Sequence, residues 1–178
     1  MRKQLLMFVA VLLLATASAA RAQQSTKPSA NEPDFSKVTA DAQVTTVLKS
    51  VRSTGKINDR DLRTLVTRLQ DTKIAATTRV QYFVPLNFLK TATEPQKVKI
   101  NALMKSLLQT DDAKNDSYGL IKGFALNFVA GRTKTPAQFE PEVRKLLKDS
   151  RPRVVSQAEE ALGVIRQGDR GAIRTPIQ

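Results

Sequence analysis

The stretch LLKDSRPRVVSQAEEALGVI, residues 146–165, decides the fold class. After its Asp-Ser-Arg-Pro turn, apolar residues recur at i, i+4, i+7, i+8 and i+11: Val154, Ala158, Ala161, Leu162 and Ile165. This spacing places one apolar stripe on one face of an α-helix. The stretch therefore predicts a short Leu-rich helix, a turn, and an amphipathic helix that packs on a core.

Four other segments of the chain have the same helical period. Their stripes are Val44, Val47, Leu48 and Val51; Leu62, Leu65, Val66 and Leu69; Ile100, Leu103, Met104, Leu107 and Leu108; and Ile121, Phe124, Ala125, Phe128 and Val129. The strand-like run 80–84 ends at Pro85 and has no second strand to pair with. We predict that it is a helix, kinked or broken near Pro85.

Residues that favour helix ends lie at the boundaries of these segments. Asn58 precedes a helix with Asp61 at its third position, and two Thr-x-x-Gln capping boxes carry a proline in the first turn: Thr93 with Gln96 and Thr135 with Gln138. Glycines just past periodic segments predict left-handed C-caps at Gly55, Gly131 and Gly168. The sequence therefore predicts an all-α fold.

The helices recur with a nearly constant period. Asp71, Asp111 and Asp149 follow the Leu-rich ends of three short helices and are 40 and 38 residues apart. A basic residue follows each of them, and each turn leads into a longer second helix. We predict three helix–turn–helix units of about 39 residues, preceded by a lone helix over residues 40–53.

The unit at residues 146–165 resembles the HEAT or HEAT-like repeat family of the armadillo type. The matching residues are Leu146-Leu147, the Asp149 to Pro152 turn, and the ending Ala161-Leu162-Gly163-Val164-Ile165, with Pro141 as the kinking proline of the first helix. The resemblance covers about a fifth of the chain, and the other two units keep only the spacing. It implies a short right-handed α-solenoid; periodic stripes alone equally allow an irregular helical bundle.

One position departs from this family. HEAT repeats usually place an Arg after the turn valine, where it joins a ladder of Asp residues between repeats. Here that position is Val155, and Arg153 precedes the valine. The departure argues against a buried Asp–Arg ladder.

The N-terminal segment has the pattern of a secretory signal peptide. Arg2 and Lys3 precede a short apolar run, and Ala20-Arg21-Ala22 fits a cleavage site. We predict cleavage after Ala22 and a periplasmic or secreted protein; an uncleaved anchor is the alternative. A flexible leader over 23–37, a helical repeat domain over 38–167 and a flexible tail over 168–178 complete the organisation.

Composition excludes several chemistries. The chain of 178 residues contains no His and no Cys, which removes disulfides, thiolate nucleophiles and Cys- or His-ligated metals. Ser53 and Lys56 match the Ser-x-x-Lys of acyl-serine enzymes, but the accompanying motifs are missing, and Gly55 fits a helix cap better. Asp111, Asp112 and Asp116 do not have calcium-loop spacing and are interpreted as capping residues in a solvated turn. We predict no enzyme, no metal site and no cofactor.

Charge is the remaining functional signal. The net charge of +13 falls to +10 without the predicted signal peptide. Six cations fall within residues 49–68 and form a candidate polyanion face: Lys49, Arg52, Lys56, Arg60, Arg63 and Arg68. Such a face attracts acidic polymers. Export, and the absence of aromatic residues among these cations, argue against nucleic acid.

The sequence predicts a non-enzymatic binding or scaffolding module that uses a helical-repeat surface to bind a protein of the cell envelope. The candidate binding surface lies on the second helices and the turns before them: Lys73, Arg79, Lys114, Lys122, Arg151 and Arg153. The alternative is an electrostatic binder of acidic envelope glycans or anionic membrane surfaces.

Overall fold

A computed structural model describes residues 33, 35, 38–167 and 176–178. Over these residues the secondary structure is helical and contains no strand, which confirms the all-α prediction. The predicted signal peptide, all of the predicted leader except residues 33 and 35, and residues 168–175 of the predicted tail lie outside the described part. None of the described helices is both long enough and apolar enough to cross a membrane.

The helices follow one another with short connections. They are α1 (Ala42–Thr54), α2 (Asp59–Gln70), α3 (Ala76–Arg79), α4 (Phe83–Asn87), α5 (Glu94–Gln109), α6 (Leu120–Arg132), α7 (Glu140–Lys145) and α8 (Pro152–Gln167). Between residues 38 and 167 three 3₁₀ turns occur as well: Val80–Tyr82 between α3 and α4, Pro136–Phe139 before α7, and Leu146–Lys148 after it. The predicted break near Pro85 is therefore a 3₁₀ turn, because proline has no N–H to donate to the preceding turn.

Three of the predicted helix ends are confirmed, two are wrong, and Gly168 lies outside the described residues. Asn58 accepts a hydrogen bond from the Asp61 amide at 2.8 Å, and Thr93 with Gln96 forms the predicted capping box. Gly55 ends α1 in the left-handed conformation, at a φ of 71°. Thr135 does not cap the turn that follows it, and Gly131 lies inside α6, which continues to Arg132.

The helices pack in two rows. The first helices of the predicted units, α2, α5 and α7, contact one another in that order, and the second helices do the same, with α3 and α4 against α6 and α6 against α8. At one end, α1 packs on α4. The apolar stripes between the rows form one hydrophobic core, in which Leu162 is buried as predicted while Glu159 on the same helix is exposed.

The connection between α5 and α6 contains a turn that the periodic pattern does not reveal. Gly119 immediately precedes α6 in the left-handed conformation, at a φ of 71°. A Cβ atom at this position would lie 2.2 Å from Cγ2 of Val154 on α8. Gly119 therefore allows both the turn and the close approach of α6 to α8.

The last three residues differ from the predicted flexible tail. Ile177 is 6% exposed and belongs to the hydrophobic core, and backbone hydrogen bonds join residues 177 and 178 to Arg132, Lys90 and Ala92. One leader residue, Phe35, also packs against the core while partly exposed. Ile177 and Phe35 are thus apolar side chains of otherwise polar segments that pack against the helical core.

Candidate functional site

A buried group of acidic and basic side chains connects the turns of the two helix rows. We call it the turn network; its members are Arg79, Asp112, Asp116, Lys122, Asp149 and Arg151. Each of them is buried except Asp149, which is half-buried. Such charges are stable away from water only when they are paired and hydrogen-bonded.

Asp112 is the centre of this turn network. One carboxylate oxygen, Oδ2, lies 3.3 Å from Nη1 of Arg79, and the other, Oδ1, lies 3.5 Å from Nη1 of Arg151. Arg79 also donates from Nε and Nη2 to the Leu69 carbonyl, at 3.0 and 2.6 Å. Asp112 thus joins the end of α2 and helix α3 to the turn before α8.

Arg151 and Lys122 complete the connection to the third predicted unit. Arg151 binds Asp149 through two hydrogen bonds of 2.7 and 2.8 Å, and Lys122 Nζ lies 3.3 Å from Oδ2 of Asp149. Because Arg151 stabilises the carboxylate, it holds the pKa of Asp149 far below its usual range. The pKa of Arg151 is raised by the same hydrogen bonding.

Asp116 caps α6 from inside the network. Its two carboxylate oxygens accept hydrogen bonds from the amides of Leu120 and Ile121, at 2.7 and 2.8 Å, and its backbone carbonyl accepts one from Arg151 at 2.8 Å. Burial raises the pKa of this carboxyl despite the two amide donors. The capping role was predicted, but the solvated turn was wrong: Asp112 and Asp116 are buried, and only Asp111 is exposed.

The sequence argument against an Asp–Arg ladder is also wrong. The basic residue of one second helix reaches the Asp of the following turn twice, from Arg79 to Asp112 and from Lys122 to Asp149. Val155, the residue behind that argument, lies on α8, and no further helix pair follows α8 among the described residues. The basic residues of these ion pairs, Arg79 and Lys122, lie instead in the two predicted units that precede the last one.

This network changes the interpretation of the candidate binding surface. Arg79, Lys122 and Arg151 are at most 6% exposed, so they are not available as a solvent-facing surface. Lys73 and Lys114 are exposed, and Arg153 is half-buried with its guanidinium 4.5 Å from the Tyr118 ring centre. The structure therefore does not bring the six residues together as one exposed surface.

The candidate polyanion face, called the basic face below, is largely solvent-accessible. Five of its six residues are exposed: Lys49, Arg52, Lys56, Arg60 and Arg63. The guanidinium of Arg52 stacks over the exposed Phe88 ring at 4.4 Å. The pKa of Asp41 is lowered mainly by a hydrogen bond from Tyr82, and the half-buried Arg68 adds a smaller lowering. Asp41 accepts a 2.6 Å hydrogen bond from Tyr82; burial and then this bond raise the pKa of Tyr82 to about 12.

The basic face has few acidic neighbours. Four of its cations form no ion pair within the described part of the chain: Lys49, Lys56, Arg60 and Arg63. The acids of the same segment are engaged elsewhere, because Asp59 accepts from Gln96 and Asp61 from Asn58, both at 2.8 Å. These cations are thus left to face solvent.

Two further features bear on chemistry. Ser53 donates to the Ser50 carbonyl at 2.9 Å, and Gly55 is the C-cap of α1, so the Ser-x-x-Lys match lies at an ordinary helix end. Among the described residues, no group of three acidic side chains is arranged to hold a metal ion.

An open groove of about 280 Å³ lies between α5 and the end of α6, and its lining includes Lys97, Val98, Phe128, Thr133, Lys134 and Ile177.

Comparison of the chain with protein-family models, with curated proteins and with solved structures finds no match.

Proposed function

We propose that the chain forms a short right-handed solenoid of three HEAT-like units: α2 with α3 and α4, α5 with α6, and α7 with α8. The row-by-row packing of first and second helices supports this arrangement. The forward ion pairs from Arg79 to Asp112 and from Lys122 to Asp149 support it as well. An irregular helical bundle does not predict equivalent ion pairs at successive turns.

We infer that this solenoid is a non-enzymatic binding module that holds an acidic protein partner in the cell envelope through the basic face. The observation that carries this proposal is the set of exposed cations on α1, α2 and their connection that lack an ion-pair partner within residues 38–167. Charge placed in this way steers and selects a partner of opposite charge. The buried cations of the turn network, by contrast, serve the fold.

The test is a charge-removal variant with a matched control. Changing Lys49, Lys56, Arg60 and Arg63 to Gln removes four charges and leaves the Arg52–Phe88 stack intact. If each exposed charge contributes about 0.2–1 kcal/mol, binding to poly-L-glutamate falls by roughly fourfold or more. Wild-type affinity should also fall as salt is raised, because exposed charges are screened.

The control removes four exposed cations elsewhere and gives the same net charge: Lys73, Lys99, Lys145 and Lys148 to Gln. Binding is measured by isothermal titration at two salt concentrations. We expect the control to bind nearly as well as wild type. Equal losses in both variants would show that net charge, and not the basic face, determines binding.

A second candidate function is attachment to an anionic membrane or acidic glycan. Phe88, which is 39% exposed beside Arg52, favours the membrane form, because an apolar ring among cations suits a lipid headgroup layer. Vesicles containing phosphatidylglycerol, tested beside poly-L-glutamate, separate the two. Binding to vesicles that is lost with Phe88→Ala would favour the membrane.

Export is part of this proposal. Arg2, Lys3, the short apolar run and Ala20-Arg21-Ala22 support cleavage after Ala22. We expect the exported protein to begin at Gln23, and the intact mass of protein from the envelope fraction measures this. A full-length mass in that fraction would instead indicate an uncleaved anchor.

A further inference from the structure

An exposed lysine from another part of the chain adjoins the basic face. The amides of Lys90 and Thr91 donate to the Gly55 carbonyl, at 2.8 and 3.2 Å, and join the connection after α4 to the one between α1 and α2. A Cβ atom on Gly55 would lie 3.1 Å from Cβ and Cδ of Lys90, so the aliphatic stem of this lysine lies against the glycine. Lys90 is exposed and forms no ion pair with any residue that the structure describes. It therefore extends the basic face next to Lys56.

An apolar ring lies at the same place. Phe88 and Lys90 flank the buried Leu89, and both are exposed. The Phe88 ring remains 39% exposed although the Arg52 guanidinium lies over it, 4.4 Å from the ring centre. A partner that covers this ring removes further apolar surface from water. We call Arg52, Lys56, Phe88 and Lys90 the anchor site.

We propose that the anchor site receives an aromatic or aliphatic side chain that lies between carboxylates in an acidic segment of the partner protein. This inference rests on the proposed function and adds what the partner carries besides negative charge. The cations attract and orient the carboxylates, and the Phe88 ring packs against the apolar side chain between them. Aromatic and arginine side chains are enriched at the centres of protein interfaces, which is the combination that Phe88 and Arg52 provide.

A protein segment suits the anchor site better than a membrane does. Between residues 38 and 167 the large apolar side chains with the greatest exposure are Phe88, Val98 and Leu147, and they lie on different elements. Stable attachment to a lipid layer takes a wide apolar face or more than one anchor. One ring beside cations instead matches one apolar side chain flanked by carboxylates.

The test compares two synthetic peptides by isothermal titration with the full chain. Each peptide has four glutamates on either side of a central residue, which is phenylalanine in one peptide and alanine in the other. We expect the chain to bind the phenylalanine peptide about two- to twelvefold more tightly, the ratio that one aromatic pair supplies. Equal affinities would overturn this inference and leave the proposed function standing. If neither peptide binds, the proposed function is wrong and this inference is wrong with it.

The role of the ring is tested by Phe88→Ala, with Leu147→Ala as the matched control. Leu147 is 38% exposed and precedes the exposed Lys148. Phe88→Ala should remove the preference for the phenylalanine peptide and keep the affinity for the alanine peptide, which also shows that the variant is folded. Leu147→Ala should keep the preference. A preference that survives Phe88→Ala, or a parallel loss of both peptides, would contradict a site for an apolar side chain.

The added cation is tested by Lys90→Gln against Lys148→Gln, two variants with the same net charge. Lys90→Gln should weaken the binding of both peptides by about 1.4- to fivefold, the contribution of one exposed charge. Lys148→Gln should leave both affinities nearly unchanged, and equal changes in the two variants would exclude Lys90 from the anchor site. Equal affinities for the two peptides, together with phosphatidylglycerol vesicle binding that Phe88→Ala abolishes, would assign the ring to a membrane instead.

Discussion

Replacing Asp112 by alanine is expected to lower the free energy of unfolding by about 3–5 kcal/mol, because the change leaves a buried cation without its carboxylate. Arg79 is fully buried and has Asp112 as its ion-pair partner. Arg151 still forms its ion pair with Asp149 in this variant, so most of the lost stability comes from Arg79, which has no carboxylate partner left. Urea denaturation followed by far-UV circular dichroism measures the change.

The neighbouring residue provides the matched control. Asp111 is exposed, and its side chain makes one long contact, 3.5 Å, to the Ala113 amide. Asp111→Ala should change the free energy of unfolding by no more than about 0.5 kcal/mol. The double variant Arg79→Ala with Asp112→Ala should be less destabilised than the sum of the single variants. Similar losses at positions 111 and 112 would contradict the buried network.

Leu162→Ala is expected to lower the free energy of unfolding by about 2–5 kcal/mol, since it removes a side chain from the core and leaves a cavity. Leu162 is 4% exposed on α8, which packs on both α6 and α7. Glu159→Ala, on the exposed side of the same helix, should change it by less than about 0.5 kcal/mol. Equal effects in the same urea titration would mean that α8 presents a different side to the core.

The helices and their inward sides could be predicted from sequence because both depend on local spacing. Val154, Ala158 and Ile165 are buried where the period of 3.6 places them. The left-handed turn at Gly119 could not be predicted in this way, because it depends on how closely α6 approaches Val154. The 3₁₀ turn Leu146–Lys148 likewise carries the composition of an ordinary helix.

The turn network was missed because basic residues are exposed in most proteins, so composition alone assigns them to the surface. Their burial depends on partners far away in sequence: 33 residues separate Arg79 from Asp112, and 39 separate Asp112 from Arg151. A partial signal was present, since the 39 residues between Asp112 and Arg151 equal the predicted period of about 39. The 33 residues between Arg79 and Asp112 and the 27 between Lys122 and Asp149 do not. Equivalent turns of stacked units lie side by side, and opposite charges placed one period apart can meet.

The docked C-terminal segment could have been suspected from one residue. Ile177 is an aliphatic side chain in a stretch otherwise rich in glycine and charge. Neither periodicity nor capping signals apply to three residues, so sequence patterns gave no site for it. Its position is set by hydrogen bonds to the backbone of Arg132 and of residues 90–92, groups that come together only once the helices have packed.

The turn network also determines how the fold responds to acid. The pKa of Asp149 is lowered in the folded protein, so its contribution to stability is complete above the unfolded value near 3.8 and is lost as the pH falls through the folded value. Asp116 has a raised pKa, so its protonation on acidification favours the folded state and partly offsets that loss. Because the chain lacks His and Cys, no side-chain type in it ordinarily titrates between about pH 5 and 8. Acid therefore breaks the pairing of Asp149 with Arg151 only at a pH below the usual range of an aspartate carboxyl, so this contact between the turn and α8 outlasts mild acidification.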